Sequence, residues 1–447
     1  SRLPSEGMLP TLVREVDDDA KSGKVLIDPP RLANTIAADE NMHQVDAQSG
    51  KVLMEPPRLA NTIGGYFPRT INMDGGTNPH PVASDDNGKR RIHIDRQMLY
   101  AWKHIEDDGN YPTIQDSPLQ EECIPMASWQ TDSYPNCNVI HELDLHAKAR
   151  SEAFYYVASG GYNDVFRLID ERFSPTALNA DPDLALKILS PGQKHRAGIP
   201  EKKAYSSYNY DVVRRDALVL ERLTKSSFVL PLHGYCGFAV IVPYADGGTL
   251  ASALAKEWSR GDKGWGKKTS TARLKYAMDA AIGLADIHEI DVVHADLTIK
   301  QYMVRNGTLQ LGDFNQGILL RRNSTAPDSA CSFQMTKNYG TTRAPEEYSH
   351  KPQTSAVDVF SLGSILYHIL TGRKVWSKYK KNKAQNAVIK GMLPKIDQSI
   401  LNSSDPVDKL LKEALDMCYI YEPSKRATAR EVATFLHKSW KELSIVK

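Results

Sequence analysis

Across its 447 residues the chain carries 56 Lys and Arg against 54 Asp and Glu, a formal net charge of +2. Such a balance gives no strong attraction for nucleic acid or for an anionic membrane surface, so neither is expected as a partner. No apolar run approaches the roughly 18 residues that cross a bilayer, so no membrane-spanning segment is expected, and five cysteines do not make a disulfide scaffold in a chain this long.

The N-terminal part is repetitive and rich in turn residues. Segment 22 to 36, SGKVLIDPPRLANTI, returns at 49 to 63 as SGKVLMEPPRLANTI, displaced by 27 residues (49 − 22), with Met54 for Ile27 and Glu55 for Asp28. Paired prolines interrupt helix and strand alike, and two copies are too few for a solenoid, so extended chain is expected; a doubled docking peptide is the functional alternative. Residues 64 to 90 are rich in Gly, Asn, Asp and Pro. Lys89, Arg90 and Arg91 then read as a solvated turn that opens a helical pattern through Leu99, Trp102 and Ile105. Residues 1 to 110 are expected to form a largely irregular extension, and 111 to 149 a linker. Within that linker Cys123 and Cys137 stand close together, and a bridge between them would stabilise the loop by about 3 kcal/mol; two unpaired thiols are the alternative. In HELDLH, the histidines at 141 and 146 lie five apart and face different ways on a helix, so no zinc site is expected there.

After residue 150 the apolar periodicity strengthens. YYVASGGYNDVFRLI (155 to 169) has strand composition on both sides of a glycine turn, and LALKIL (184 to 189) is an apolar strand carrying one Lys. A cation in such a strand needs a partner or a route to solvent. RRDALVLERL (214 to 223) has a helical stripe of Ala217, Leu220 and Leu223 that would bring Asp216 towards Lys187, and VIVPYADGGTL (240 to 250) reads as a buried strand entering a loop.

HADLTIKQYMV (294 to 304) and GDFNQGILL (312 to 320) place Asp296 and Asp313 seventeen positions apart (313 − 296), on either side of two short strands that turn at Asn306 and Gly307. Two acids in one cleft suit phosphoryl transfer: one beside the attacking hydroxyl, the other on the magnesium that neutralises developing charge.

This order of parts over about residues 150 to 440 resembles the eukaryotic protein kinase superfamily. TRAPEEY (342 to 348) is similar to the APE motif, DVFSLG (358 to 363) to the DxWSxG start of the central helix, and PSKRAT (423 to 428) supplies the Arg that pairs with the APE glutamate. The resemblance implies an α+β, bilobal fold, with a small β-rich N-lobe and a large helical C-lobe after the irregular extension. It implies ATP and Mg2+ as cofactors and a protein substrate. In these roles Lys187 would hold the α and β phosphates, Asp296 would orient the substrate hydroxyl, and Asp313 with Gln301 would bind magnesium. Gly160 would cover the phosphates. Val165, Ala185 and Met303 would enclose adenine, with Val242 as gatekeeper and Pro243, Tyr244 and Ala245 as the hinge. Asp216 would pair with Lys187; Leu220, His294, Phe314 and Asp358 would form a packed column, and Glu346 would pair with Arg426.

Several positions depart from the family pattern. The glycine loop, Ala158 to Val165, keeps only the middle family glycine, Gly160, with Asn163 as a residue that tolerates left-handed backbone. Asp216 stands where Glu is usual, about 1.3 Å shorter, and a misplacement of that order can cost about 100-fold in rate unless the helix lies closer. Gln301 replaces Asn, and Asn315 replaces the Gly of DFG, again with a residue that tolerates positive φ. Ala295 replaces the Arg that receives a phosphorylated activation loop, so Ser324, Thr325, Ser332 and Thr336 are expected to be solvated loop residues and not obligatory switches. YGTTRAPEE (339 to 347) is two residues short before APE, which bears on peptide docking.

Three functions follow as expectations: a serine/threonine protein kinase, a pseudokinase scaffold, or a kinase-fold enzyme acting on a sugar or small hydroxyl compound. Compartment is open between cytoplasm and the secretory lumen or a membrane-anchored state. Ser1 in the place of Met leaves room for a targeting segment upstream, and Asn306, Asn323 and Asn402 each begin a glycosylation triplet.

Overall fold

A computed structural model describes residues 83–84, 90–91, 123–131, 135–148, 154–160, 163–169, 183–189, 207–259, 270–325, 330–335 and 339–445. The tandem repeat, the helical pattern through Leu99, Trp102 and Ile105, Gly161, Tyr162 and Thr336 lie outside the described residues.

Two short strands come first, β1 (Ala83–Ser84) antiparallel to β2 (Arg90–Arg91), so Arg90 and Arg91 are paired strand residues and not the turn expected of them. Next follow β3 (Cys123–Pro125), a 3-10 turn (Ser128–Gln130) and two short helices, α1 (Cys137–Glu142) and α2 (Leu145–Lys148). One antiparallel sheet then forms from β4 (Phe154–Ser159), β5 (Asn163–Ile169) and β6 (Asp183–Leu189), followed across helix α3 (Ser207–Arg222) by β7 (Gly234–Cys236) and β8 (Ala239–Pro243). The spatial order is β4-β5-β6-β8-β7.

Alternation along β6 explains how this sheet serves two cores. Leu184, Leu186 and Ile188 face one side, where Ile140, Leu143 and Leu145 of the α1–α2 region cover them together with Phe154, Phe166 and Ile241. Ala185 and Leu189 face the other side, in the main core with α3. Part of the expected linker is thus a packed cover on the sheet.

Below it lie β9 (Gly248–Thr249), α4 (Leu250–Ser259), α5 (Ser270–Glu289), β10 (Val292–Val293), β11 (Tyr302–Arg305), β12 (Thr308–Leu311), β13 (Ile318–Leu319) and β14 (Arg321–Asn323). The β11–β12 hairpin turns at Asn306 (φ 50°) and Gly307 (φ 72°), two consecutive left-handed residues that an Asn-Gly pair adopts readily. Helices α6 (Pro345–Tyr348), α7 (Ala356–Thr371), α8 (Lys381–Ile389), α9 (Gln398–Leu401), α10 (Pro406–Cys418) and α11 (Ala429–Ile445) complete the lobe. Central α7 is buried nearly all round, and a Cβ on its Gly363 would stand 2.8 Å from the Tyr419 ring, so that position requires glycine. A small sheet lobe above a helical lobe is the bilobal kinase fold.

The cysteine expectation is corrected. Cys123 bonds Cys331 and Cys137 bonds Cys236, leaving Cys418 free and buried. Nearness in sequence misled because β3 pairs with β14, beside Cys331, whereas α1 meets β7; the bridges span 208 and 99 residues. Among the described residues no helix is long and apolar enough to cross a membrane.

Candidate active site

Lys187 occupies the main-core face of β6, at a position flanked by Ala185 and Leu189, so its ammonium must find a partner there. Asp216 of α3 supplies it: Nζ donates to Oδ2 at 2.6 Å, and the Asp216 side chain is only 1 % exposed. Asp313 Oδ1 lies 3.7 Å from the same nitrogen. Burial pulls the Lys187 pKa down, but Asp216 and Asp313 outweigh it and the net shift is upward, so the cation is held.

Helix α3 also fixes the chain around Asp313. Phe314 N donates to Asp216 Oδ1 at 2.7 Å, and buried Arg215 donates to Gly317 O at 2.7 Å. Asp313 itself has φ 68°, a left-handed conformation that costs a non-glycine residue energy and persists where surroundings impose it. The sequence reading assigned left-handed tolerance to Asn315 and Asn163; the positive φ values fall instead on Asp313 and on Ala295 (φ 57°). Asn315 is buried, and its Nδ2 donates to Asp313 Oδ1 at 2.6 Å.

The loop carrying Asp296 is built on Asp358 of α7. Asp358 accepts from the backbone N of His294 (2.6 Å) and Ala295 (2.9 Å), while His294 Nε2 is 3.2 Å from Gly312 O and its ring centroid 5.2 Å from that of Phe314. Leu220, His294, Phe314 and Asp358 are each at most 1 % exposed. Asp296 presents 41 % of its side-chain surface, and accepts from Arg343 Nη2 at 2.8 Å. Burial of its surroundings raises the Asp296 pKa; Arg343 and His294 oppose that shift, and Asp313 and Asp358 add to it.

Arg343 is itself buried, and also donates to Ala295 O, to Tyr339 O (3.1 Å) and to Glu347 Oε1 (3.1 Å). Glu347, 1 % exposed, has its pKa pushed up to about 7 by burial, against the guanidinium and the Ala344 N–H.

On the other side of the cleft, Ala185 and Val242 are paired across β6 and β8, and both belong to the main core, with Val165, Tyr244 and Met303 packed against it. Tyr244 N donates to Asp183 O at 2.8 Å, which fixes the start of the connecting segment before Ala245. Gly160 N donates to Asn163 O at 2.8 Å. Gln301 Oε1 accepts from Thr298 Oγ1, and its backbone O from Gly312 N at 2.9 Å. Below, Arg426 meets Glu346 through two bonds of 2.7 and 3.2 Å, both side chains buried.

The profile of the protein kinase domain matches residues 200–440. The chain belongs to the protein kinase family. It is 26 % identical to Serine/threonine-protein kinase STY17 of Arabidopsis thaliana over 295 residues, 64 % of this chain and 44 % of that protein. With Mitogen-activated protein kinase kinase kinase 20 of the same plant it shares 26 % identity over 195 residues, 42 % of this chain and 52 % of the relative. A Dictyostelium discoideum relative, Dual specificity protein kinase shkE, is 27 % identical over 164 residues, 36 % of this chain and 22 % of its own. The chain therefore aligns with only about half or less of each of these proteins.

In this kinase domain the residues around Asp313 fit magnesium by their donor set. Hard cations take carboxylate and amide oxygens, and magnesium in phosphoryl-transfer sites uses few protein ligands because phosphate oxygens and water complete its shell. The Asp313 carboxylate is 38 % exposed, and the neighbouring Asn315 Oδ1 is buried with no hydrogen-bond partner, an orphaned oxygen of the kind a cation or its water satisfies. Gln301 supplies an amide oxygen already engaged by Thr298. The residue that sequence reading missed is Arg343. Its only local signal was a lone cation before the APE motif, and its partner Asp296 lies 47 positions away.

Proposed function

We propose that the domain transfers the γ-phosphate of ATP to a serine or threonine hydroxyl of a protein. The observation that carries this reading is the meeting of Lys187, Asp216 and Asp313 within one ion-pair cluster, beside a separately held Asp296. Lys187 would contact nucleotide phosphates, with Asp216 keeping it charged and aimed. Asp313, supported by the amide oxygens of Asn315 and Gln301, would hold Mg2+. That ion, when bound, neutralises charge on the phosphates. Asp296 would orient the attacking hydroxyl and accept its proton, and Arg343 keeps the carboxylate in place. The adenine would lie among Val165, Ala185, Val242 and Met303, against the Pro243–Ala245 backbone.

Purified full-length protein should gain about 2.7 kcal/mol of stability from MgATP at 100 times its Kd. It should also label serine- or threonine-containing peptides. Asp296→Asn should abolish labelling while leaving the thermal shift, and Asp313→Ala should remove both. A thermal shift without labelling of peptides or glycans would replace this reading with a nucleotide-binding pseudokinase, and labelling of glycans alone would move the acceptor to a sugar hydroxyl.

We also infer that the domain matures in an oxidising compartment such as the secretory lumen. Two bridges use four of the five cysteines, and Asn306 and Asn402 are exposed asparagines in glycosylation triplets. A mass decrease at these residues after endoglycosidase treatment of protein from its native cell is expected; unmodified asparagines together with free thiols would refute it.

A further inference from the structure

We propose that residues 123–131 and 135–137 act as a disulfide-fastened strap that ties the activation segment and α3 to the sheet, so that oxidation, not phosphorylation, keeps the active site assembled. The upper fastening is on β7. Cys137 bonds Cys236, Asn136 N donates to Tyr235 O at 3.0 Å, and Tyr235 N donates to Asn136 Oδ1 at 2.6 Å. The lower fastening is on the activation segment. Cys123 bonds Cys331, and β3 adds to β14 with Arg321 opposite Pro125, Arg322 opposite Ile124 and Asn323 opposite Cys123.

Between these fastenings the strap contacts the two elements that carry the ion-pair cluster. Gln130 is 5 % exposed; its Nε2 donates to Leu320 O at 3.1 Å and its Oε1 accepts from Met126 N at 2.7 Å. Leu320 follows Asp313 by seven residues (320 − 313), and the intervening β13 pairs with β10 just before His294. Trp129 packs against the main core, and the Arg222 guanidinium at the end of α3 stands 5.8 Å over its ring. The same helix carries Asp216 and Arg215, which hold Lys187, Phe314 and Gly317. A strap fixed at both ends therefore restrains the two elements whose separation would part Lys187 from Asp313. Ala295 removes the Arg through which an activation-loop phosphate would act, and the strap supplies a restraint in its place.

Each bridge forms when two thiols yield two protons and two electrons to a disulfide oxidant, such as an oxidised thiol–disulfide oxidoreductase. A dithiol such as dithiothreitol returns them and closes to its own cyclic disulfide. The regulatory half of the proposal rests on the phosphotransfer function above; the mechanical half does not.

The test uses the full chain purified without reductant. Peptide mapping under non-reducing conditions should recover the linked pairs Cys123–Cys331 and Cys137–Cys236. Limited proteolysis should cut residues 320 to 339 at least ~10-fold faster in Cys331→Ser, and in wild type after dithiothreitol, than in the oxidised protein. Gln130→Ala, which leaves every cysteine in place, should accelerate cutting by a smaller factor and guards against a cysteine variant that misfolds. Peptide phosphorylation should fall in the same order. A Cys123–Cys137 peptide, or cutting rates within about twofold of one another, would overturn the strap. Faster cutting in a protein whose oxidised form phosphorylates nothing would support the mechanical restraint and overturn the phosphotransfer function together with the regulatory half that rests on it.

Discussion

Asp216 offers the sharpest test, because the obvious repair should do harm. Family resemblance calls for Glu at this position, and restoring it would be expected to help if the shorter acid were a defect. The structure argues otherwise: Asp216 already reaches Lys187 at 2.6 Å and Phe314 N at 2.7 Å with a side chain 1 % exposed, so α3 lies close enough for Asp and leaves no room for another methylene. Overpacking of that kind costs about 1 to 3 kcal/mol. Asp216→Ala should cost more, since removing one member of a buried pair costs about 3 to 5 kcal/mol and the stranded Phe314 N–H contributes to the loss. Adding Lys187→Met removes the uncompensated charge, so the double variant should recover about 2 kcal/mol relative to additivity. Urea denaturation read by tryptophan fluorescence, with an unchanged m value, would measure these three variants and the Lys187→Met single variant that the additivity comparison needs. If Asp216→Glu proves as stable as wild type, or Asp216→Ala loses less than about 1 kcal/mol, the argument from close packing fails.

Removing the guanidinium in Arg343→Met takes away the larger of the two influences that oppose burial at Asp296 and leaves only His294, so the acid limb of a kcat/KM profile should move to higher pH; superimposable profiles would refute the contact's role. Glu347 has a folded pKa of about 7 against an ordinary 4.5. Its neutral form is favoured by folding, so that contribution is complete below about 4.5 and is lost as pH rises through about 7. Glu347→Gln should therefore flatten the fall in stability across that window, as read by denaturation at stepped pH. Glu346→Ala strands the buried Arg426 guanidinium among the carbonyls of Ile420, Ala356 and Tyr421, and should cost about 3 to 5 kcal/mol in the same assay.

How far the chain could be read before folding depended on the range of the interaction. The β6 strand was legible because alternation is local: one Lys on an apolar face demanded a partner, and the stripe of Ala217 and Leu220 put Asp216 on the right side of α3. The Asn306–Gly307 hairpin was legible for the same reason. The bridges were not, because Cys123 and Cys137 are neighbours in sequence but belong to different layers, and their partners lie 208 and 99 positions away. Arg343 escaped notice for a similar reason. Its contact with Asp296 depends on the path of the activation segment, which no periodicity encodes. Backbone strain was misassigned on residue type alone: Asn tolerates left-handed geometry, but the turn at the site falls on Asp313, where the Phe314 and Asn315 contacts hold it.

These departures from the family pattern bear on one another. A shortened acid at 216 works only if α3 stays close to the sheet. Three contacts keep it there from the cleft side, through Lys187, Phe314 N and Gly317 O. The loss of the Arg at 295 removes one common means of ordering the activation segment, and a free segment would let Gly317 and Phe314 drift and take α3 with them. Strand pairing of β3 with β14, and the Gln130 bond to Leu320, act on that segment just beyond the cluster. Asp216 in place of Glu, and Ala295 in place of Arg, are consequently coupled through one mechanical requirement. Lengthening the acid should hurt most while the bridges are intact, and less once reduction lets α3 move outward. The stability deficit of Asp216→Glu should therefore shrink in dithiothreitol, and a deficit that stays constant would separate the two features.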